Sequence, residues 1–416
     1  MRKNLFALYG VQVATLVLPL LSIPFLARVL GPSALGELAA IQSLFATLGF
    51  LIEYGFNFSA TRQAAIHQHD RDKLTEILGN VLGAKILLSL LFLLISLAVY
   101  FFVPVFRSHP TLFWLGFVGA LAQGFNLMWF YQGIEKMSLA ATVDILCKSA
   151  YIALLFLFVR SPQDLTLVIG FQSAAFILSL VVNAFRSRQY SNSLSLSLSG
   201  SLEALKDGRS MFLFRGMTLF YTTANSALLR LYVPASTVAY YANAERLTNV
   251  GFSAFSPLTQ VFFPRLSYLV HHDLEEAKKL FRKCFYIIIP LSVASAIVGY
   301  ILAPFAINLI FGEMYVQSIS LFRILLFNIP IISVSSLFGL QWLVPNGMQA
   351  KFNRAIGLSA IVNIASVIFL VPVFKATGMA YTVVFCESII ALMVVFAVLR
   401  SKDSPFGNPL RRQIRI

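Results

Sequence analysis

The strongest indication of the fold lies in residues 24–62, PFLARVLGPSALGELAAIQSLFATLGFLIEYGFNFSATR. This stretch consists of two apolar segments that meet at Gly31-Pro32. A Gly-Pro pair marks a turn, so it predicts a tight corner between two helices. Arg28 stands just before this corner, and Glu53 lies inside the second segment. Charged residues inside apolar helices are rare and typically mark transport pathways.

A second stretch repeats this pattern about 200 residues later, at LLRLYVPASTVAYYANAERLTN, residues 228–249. Arg230 precedes Pro234 by four residues, the same spacing as between the arginine and the proline of the first corner. Glu245 and Arg246 follow in apolar surroundings. A charged hairpin that occurs once in each half of a chain is typical of transporters built from repeats.

The composition predicts an all-α polytopic membrane protein. The chain is 58% hydrophobic, has a mean hydropathy of +0.80 and carries only 12% charged residues, about half the charge of soluble proteins. Windowed hydropathy predicts about 12 spans, within residues 6–30, 36–60, 79–104, 111–133, 138–159, 163–185, 210–232, 237–263, 284–311, 317–343, 354–374 and 377–399.

The net charge of +15 follows the membrane topology and does not indicate nucleic acid. With the N-terminus inside, about 22 of the 32 Lys and Arg residues fall on the N-terminal side and about 5 on the other. This asymmetry is the positive-inside rule, and it predicts that both termini are cytoplasmic.

A second echo supports a duplication. WFYQGIEK at residues 129–136 precedes predicted span five, and WLVPNGMQAK at 342–351 precedes span eleven. Because six spans return the chain to the same side, we expect two parallel six-helix repeats around a central cavity. The predicted organisation is an N-terminal lobe (1–186), a polar cytoplasmic linker (187–209) with a short interfacial helix at 202–211, a C-terminal lobe (210–400) and a basic cytoplasmic tail (401–416).

Four blocks of sequence resemble the signatures of bacterial O-antigen flippases. These are Wzx-type members of the multidrug/oligosaccharidyl-lipid/polysaccharide exporter superfamily. The blocks are LARVLGP (26–32), IEYGFNFSATR (52–62), YQGIEKM (131–137) and PLTQVFFPRLS (257–267).

The resemblance implies translocation of an undecaprenyl-pyrophosphate-linked oligosaccharide from the cytoplasmic to the periplasmic leaflet of the inner membrane. It also implies two six-helix lobes, a cationic central cavity and alternating access. Lipid-linked oligosaccharide and membrane lipids are the expected partners, with O-antigen polymerase and a chain-length regulator as further ones.

Four arginines are the candidates for substrate binding. A guanidinium offers phosphate the bidentate contacts that an ammonium does not. For those near the ends of spans, snorkelling toward the lipid headgroups is an equally open interpretation. The candidates are Arg28, Arg215, Arg230 and Arg246.

Three carboxylates are the candidates for ion coupling, namely Glu53, Asp144 and Glu245. Two of them also have a structural interpretation. Glu53 lies at about the same depth in span two as Lys85 in span three, so the two residues could simply pair. Asp144 and Lys148 are spaced i, i+4 with the acid first, the favourable order for a local ion pair.

The sequence contains no nucleotide-binding loop, no predicted metal cluster and no catalytic arrangement of side chains. We therefore expect a transporter without cofactor rather than an enzyme, with coupling to H⁺ or Na⁺ left open. Two alternatives remain. An O-antigen polymerase would need large outward loops, which this chain lacks. An ion-coupled exporter of another polysaccharide or of small molecules would favour an acidic cavity if it carried cationic drugs.

Overall fold

The computed structural model describes the backbone of residues 2–192, 196–253 and 255–407. Described side chains begin at Leu21 and omit residues 210–211, 213–215, 217–221, 256–258 and 260–261. Within these ranges the chain is helical without strands, as expected for an all-α membrane protein. It forms two compact units, Met1–Ser236 and Thr237–Ile416. The predicted division into lobes and linker stays a prediction.

The first unit contains ten helices among its described residues: α1 (Arg2–Glu53), α2 (Phe56–Ile66), α3 (Arg71–Phe102), α4 (Pro104–Arg107), α5 (Pro110–Gly124), α6 (Met128–Gly133), α7 (Met137–Phe158), α8 (Leu165–Ser187), α9 (Leu198–Thr223) and α10 (Asn225–Arg230). A 3₁₀ turn, Pro162–Asp164, precedes α8.

The second unit takes in nearly all of α11 (Ala235–Ser253). It continues with α12 (Ser256–His272), α13 (Leu274–Ile310), a 3₁₀ turn at Glu313–Tyr315, α14 (Ser318–Leu325), α15 (Asn328–Ser335), a π-helix at Ser336–Leu343 and α16 (Gln349–Leu399).

Eight helical stretches of the described part are long and apolar enough to cross a membrane. Two of them, Leu21–Ile66 and Gln349–Leu399, are 46 and 51 residues long, whereas a crossing needs about 20 residues. Each contains a joint with non-helical backbone, at Gly31 and at Lys375. The predicted spans 210–232 and 237–263 are mostly helical where the structure describes them but are not among the eight. The count of about 12 therefore stays a prediction.

The predicted corner at Gly31-Pro32 is confirmed. Gly31 has φ 70° and ψ 175° and separates two helical segments of α1. No heavy atom lies within 4 Å of the position that a Cβ would take there. The glycine is therefore required by the positive φ and not by crowding. Pro32 follows at the first position of the new helical segment, where its missing N–H has no partner to lose.

The long helices α3 and α13 begin in the same way in the two units. Asp70 caps α3 by accepting a hydrogen bond from the Lys73 backbone N–H at 3.0 Å, and Asp273 caps α13 by accepting one from Glu276 N–H at 3.0 Å. A capping aspartate satisfies one of the free donors of a helix start. His67 and His69 lie in the turn between α2 and the first cap, and His271 and His272 end α12 just before the second.

The two echoed segments around Trp129 and Trp342 end in the same turn. In the first, Glu135 has φ 57° and Lys136 N–H donates to Tyr131 O at 2.8 Å. In the second, Gly347 has φ 71°, and Met348 N–H donates to Leu343 O at 2.8 Å. Both are helix ends closed by a residue in the left-handed region.

The short helix predicted at 202–211 is longer than expected. Instead of a short helix at 202–211 leading into a separate span, one continuous helix, α9, runs from Leu198 to Thr223. Its first turns pack against α3, where Gly200 lies against Asn80 and Gly83 against Ser201. Small residues allow this close approach between α9 and α3.

Candidate functional site

A buried ion pair joins the two corner motifs. Arg230, at the end of α10, donates from Nη2 to Glu37 Oε1 at 2.6 Å and from Nε to the same oxygen at 3.1 Å. Its Nη1 donates to Val233 O at 3.2 Å. The two side chains are only 17% and 11% exposed. Such a charge-assisted pair with several hydrogen bonds fixes the position of both helices.

The backbone around this pair is packed closely enough to hold it. A Cβ on Gly36 would overlap the carbonyl of Ala235, so only glycine fits at this crossing. Two turns further along α1, Ser43 Oγ donates to Thr223 O at 2.5 Å and accepts from Ala227 N–H at 3.1 Å. Ser43 thus bridges the break between α9 and α10.

Aromatic stacking extends this contact to the other end of α1. The ring of Phe212 on α9 stacks on Tyr54 at 4.4 Å and on Phe50 at 5.5 Å between centroids. Residues 37 to 54 therefore contact α10 first and α9 afterwards, the reverse of the order of these two helices in the chain. The two segments run antiparallel, and the ion pair lies near the end marked by the Gly31 corner.

A second buried charge, Lys85, lies at a break between helices. Its side chain is on α3, and the residue is 1% exposed. Nζ donates to Gly124 O at 2.7 Å and to Asn126 O at 3.4 Å. These carbonyls stand where α5 ends, at the negative end of a helix dipole. Lys85 therefore occupies the kind of place where interrupted helices bind cations.

Glu53 accepts a hydrogen bond from the Asn57 amide and attracts Lys85 electrostatically. The Lys85 ammonium nevertheless donates its hydrogen bonds to backbone carbonyls. Glu53 thus acts as a counter-charge for this site. Its role in ion coupling stays a prediction.

The predicted pair on α7 is confirmed. Lys148 Nζ lies 3.2 Å from Asp144 Oδ2. The other carboxylate oxygen of Asp144 accepts a hydrogen bond from Ser179 Oγ on α8 at 2.5 Å. The acid is 14% exposed and the lysine 36%. This arrangement neutralises the charge locally on one helix.

The remaining candidates are two residues of α11, one of α1 and one of α9. Glu245, on α11, is half-buried and accepts a hydrogen bond from the Tyr241 hydroxyl one turn earlier at 2.8 Å. Arg246 beside it is also half-buried, whereas Arg28 is exposed. The side chain of Arg215 lies outside the described residues.

Glu37 is the residue that sequence reasoning missed. It stands five residues after the Pro32 corner, close enough to the end of a span for solvation to explain it. The sequence feature that could have pointed to it is the repeated corner, because Arg230 is the arginine of the second corner. As for metals, the residues with described positions contain no group of three or more His, Cys, Asp or Glu that could hold an ion.

The fold is shared with transporters of known structure. The lipid II flippase MurJ, in an inward closed conformation, matches with a TM-score of 0.71 over 98% of this chain and 91% of its own, at 14% identity. An inward-facing multidrug resistance MATE family transporter of the MOP superfamily matches with a TM-score of 0.68 over 95% and 97%, at 15% identity. The chain therefore has the fold of this superfamily of membrane transporters.

The sequence identifies the family within that fold. The family described as "Polysaccharide biosynthesis protein" matches residues 1–270, and the chain belongs to it. Relatives named "Putative O-antigen transporter" are 26% identical over 407 residues in Escherichia coli (strain K12) and 25% identical over 401 in Shigella dysenteriae. They cover 97% and 96% of this chain and 97% and 100% of their own lengths. The resemblance drawn from the four sequence blocks is thus confirmed.

Proposed function

We propose that this protein is a flippase that moves undecaprenyl-pyrophosphate-linked O-antigen repeat units from the cytoplasmic to the periplasmic leaflet. The observation that carries the proposal is the match over nearly the full length to relatives named as O-antigen transporters. The fold of a lipid II flippase supports it, because lipid II flipping poses the same physical problem. A polar head must pass about 30 Å of hydrocarbon.

Alternating access supplies the route in this proposal. The oligosaccharide and pyrophosphate enter a central cavity while the prenyl tail stays in lipid, and the cavity then opens to the other leaflet. Arg28 and Arg246 are the arginines that we assign to the pyrophosphate. Arg215 remains a candidate from its sequence position.

We assign a different role to Arg230. Three of its nitrogen atoms already donate hydrogen bonds to Glu37 and Val233. A phosphate would have to replace these contacts inside a packed crossing. We therefore assign Arg230 to holding α10 against α1, with substrate contact limited to any state in which the pair opens.

The inner membrane is the proposed location, with both termini in the cytoplasm. The basic excess on the N-terminal side of the predicted spans supports this orientation. Cysteine labelling of Ser195→Cys in a variant without native cysteines tests it. Labelling from the periplasm would contradict the topology. O-antigen polymerase and a chain-length regulator are the proposed downstream partners.

A transport assay tests the function directly. Deletion of the gene should remove surface O-antigen, and a sequence-divergent O-antigen flippase should restore it. In vesicles, the purified protein should expose lipid-linked oligosaccharide to an external glycan-cleaving enzyme. Arg246→Ala should lose this activity while the protein still inserts, and Arg246→Lys should recover part of it. Full activity of Arg246→Ala would remove Arg246 from the pathway.

An ion-coupled exporter of another polysaccharide or of small molecules is the second candidate, since the fold is also that of MATE family transporters. The names of the near full-length relatives favour the flippase. Retained O-antigen in the deletion strain, together with increased sensitivity to cationic drugs, would favour the exporter instead.

Glu245 is the carboxylate that we rank first for ion coupling. Glu245 adjoins Arg246, which we assign to the pyrophosphate, whereas Asp144 and Glu53 lie on other helices. Substrate that engages Arg246 would change the charge beside Glu245 and so its proton affinity. Glu245→Gln should then flip substrate without responding to a proton or sodium gradient, with Asp144→Asn as the matched control. An unchanged gradient response would exclude Glu245.

A further inference from the structure

An apolar groove lies on the outer surface of the second unit, between α13 and the α14–α15 segment. Its volume is about 380 Å³, within the range of small-molecule sites, about 300–1,000 Å³. Val293 and Ile297 line it from α13, and Phe327 and Pro330 line it from the facing segment. Three of these side chains are strongly exposed, at 40% for Val293, 55% for Ile297 and 58% for Phe327.

A single charged residue stands at one end of this groove. Going along α13, the lining runs from Tyr300 and Ile301 to Val293, and along the facing segment it runs from Arg323 to Pro330. Tyr300 and Arg323 contact each other, so they mark the same end. The groove therefore begins at a guanidinium and continues between apolar side chains only.

Contacts with Tyr300 orient the Arg323 side chain. Nε donates to Tyr300 O at 3.2 Å, and the guanidinium lies 4.7 Å above the centre of the Tyr300 ring. No carboxylate of the described residues lies within ion-pair distance of Arg323. The two Nη groups are thus held at the mouth of the groove, with N–H donors available to an anion.

The depth of the groove matches one leaflet of a membrane. The first turns of α13, from Leu274 to Lys283, are rich in Lys and Glu. Because charge is costly in hydrocarbon, we place these turns outside it. A core of about 30 Å takes about 20 residues from there, which puts its far edge near residue 304. Tyr300 then lies about 6 Å below that edge, within reach of a snorkelling arginine. Val293 lies about 16 Å below it, close to the middle of the bilayer.

We propose that this groove is a binding site for an anionic phospholipid of the leaflet farther from the first turns of α13. The phosphate contacts the Nη groups of Arg323, and one acyl chain lies between α13 and α15 as far as Pro330. A net negative headgroup fits better than a zwitterionic one because none of the described residues that line the groove is a carboxylate that could bind an ammonium group. The site needs only a membrane location and is independent of which substrate the protein transports.

The competing occupant is the prenyl tail of a transport substrate. The groove spans about half the bilayer and has the volume of one short chain, whereas an undecaprenyl tail is far longer than a leaflet is thick. The groove also opens to the surrounding lipid. We therefore choose the phospholipid, and the experiment includes the substrate as a competitor.

Native mass spectrometry of the purified full-length protein tests the proposal. The protein in detergent is titrated with phosphatidylglycerol, phosphatidylethanolamine and undecaprenyl pyrophosphate. Arg323→Gln removes the phosphate contact, and Ile297→Trp fills the groove from an exposed position that does not disturb the core. Arg400→Gln and Ile287→Trp are the matched controls. Arg400 also lies over an aromatic ring, that of Phe396 at 4.0 Å, and Ile287 is an exposed residue of α13 outside the groove.

We expect wild type to retain one phosphatidylglycerol in preference to phosphatidylethanolamine. Arg323→Gln and Ile297→Trp should each weaken this binding about tenfold, and the two controls should leave it unchanged. Equal binding by both groove variants and wild type would overturn the site. Equal retention of phosphatidylethanolamine would overturn the anionic headgroup. Displacement of phosphatidylglycerol by undecaprenyl pyrophosphate in an Arg323-dependent manner would overturn the choice of occupant.

Discussion

Two acid–base pairs inside the membrane helices of the first unit are built in opposite ways. Glu37 and Arg230 are 193 residues apart in sequence and join α1 to α10. Asp144 and Lys148 are four residues apart on one helix. The first pair has two short N–H···O contacts and two nearly buried side chains, whereas the lysine of the second is more than a third exposed.

The two pairs therefore constrain the helices differently. A local pair lowers the cost of placing charge in a helix but leaves the helix free to move against its neighbours. A pair between distant segments ties those segments together for as long as it persists. In a protein proposed to alternate between two states, the Glu37–Arg230 pair is therefore a candidate latch, and the Asp144–Lys148 pair is not.

The largest expected effect comes from breaking the distant pair. Glu37→Ala leaves the Arg230 guanidinium without its carboxylate in a packed crossing. Removing one partner of a buried pair costs about 3–5 kcal/mol, and slight exposure puts this site at the lower end. Thermal unfolding of the purified protein should therefore show a large loss of stability for Glu37→Ala and for Arg230→Ala.

The double variant separates the pair from its parts. Glu37→Ala with Arg230→Ala leaves no lone charge, so it should be more stable than either single variant. Arg230→Lys keeps the charge but loses the second N–H contact, and it should fall between wild type and Arg230→Ala. If the losses of the single variants simply add, the two side chains do not act as a pair.

A smaller effect should come from the glycine that lets the helices approach. Gly36→Ala puts a methyl group into the Ala235 carbonyl, and overpacking of this kind costs about 1–3 kcal/mol. Gly49 is the matched control on the same helix, because its new Cβ would lie 3.6 Å from the nearest atom, Ala120 Cβ. There alanine should stabilise the helix by about 0.5–1 kcal/mol.

These two substitutions are chemically identical, so the sign of the change in unfolding temperature is the measurement. A loss at Gly36 with a gain at Gly49 supports a backbone crossing at the ion pair. Gly36→Ala in the Glu37→Ala background should cost less than in wild type, because the pair that the crossing holds is already gone. Equal effects at both glycines would mean that α1 shifts freely at the crossing.

The same contrast explains how much the sequence could predict. The membrane class, the Gly31 corner and the Asp144–Lys148 pair follow from composition, a Gly-Pro pair and a spacing of four, all of which are local. The Glu37–Arg230 pair forms because the two corners lie against each other in the fold, and no local sequence pattern predicts that contact. The duplicated arginine was visible, but its partner is not duplicated, because the position matching Glu37 after the second corner is Ala239.

Lys85 and α9 were difficult for related reasons. A buried lysine in a span suggests a carboxylate partner, and Glu53 stood at a suitable depth. Its closest hydrogen bonds instead go to Gly124 O and Asn126 O, which become available only because α5 ends there. The start of α9 is polar by composition, and the sequence does not show that it packs on α3 and continues into one long helix.

The local pair, Asp144 and Lys148, should give the smallest change in the free energy of unfolding. Lys148→Gln replaces the ammonium by an amide that can still donate to Asp144 at i, i+4, and Ser179 Oγ keeps its own hydrogen bond to the carboxylate. The cost in unfolding should stay below about 1 kcal/mol. Asp144→Ala should cost more than Lys148→Gln, because it also removes the acceptor of Ser179, and Ser179→Ala measures that part alone. If Lys148→Gln destabilised the protein as strongly as Glu37→Ala, the i, i+4 pair would have to hold α7 against α8, and the division between a local pair and a latch would fail.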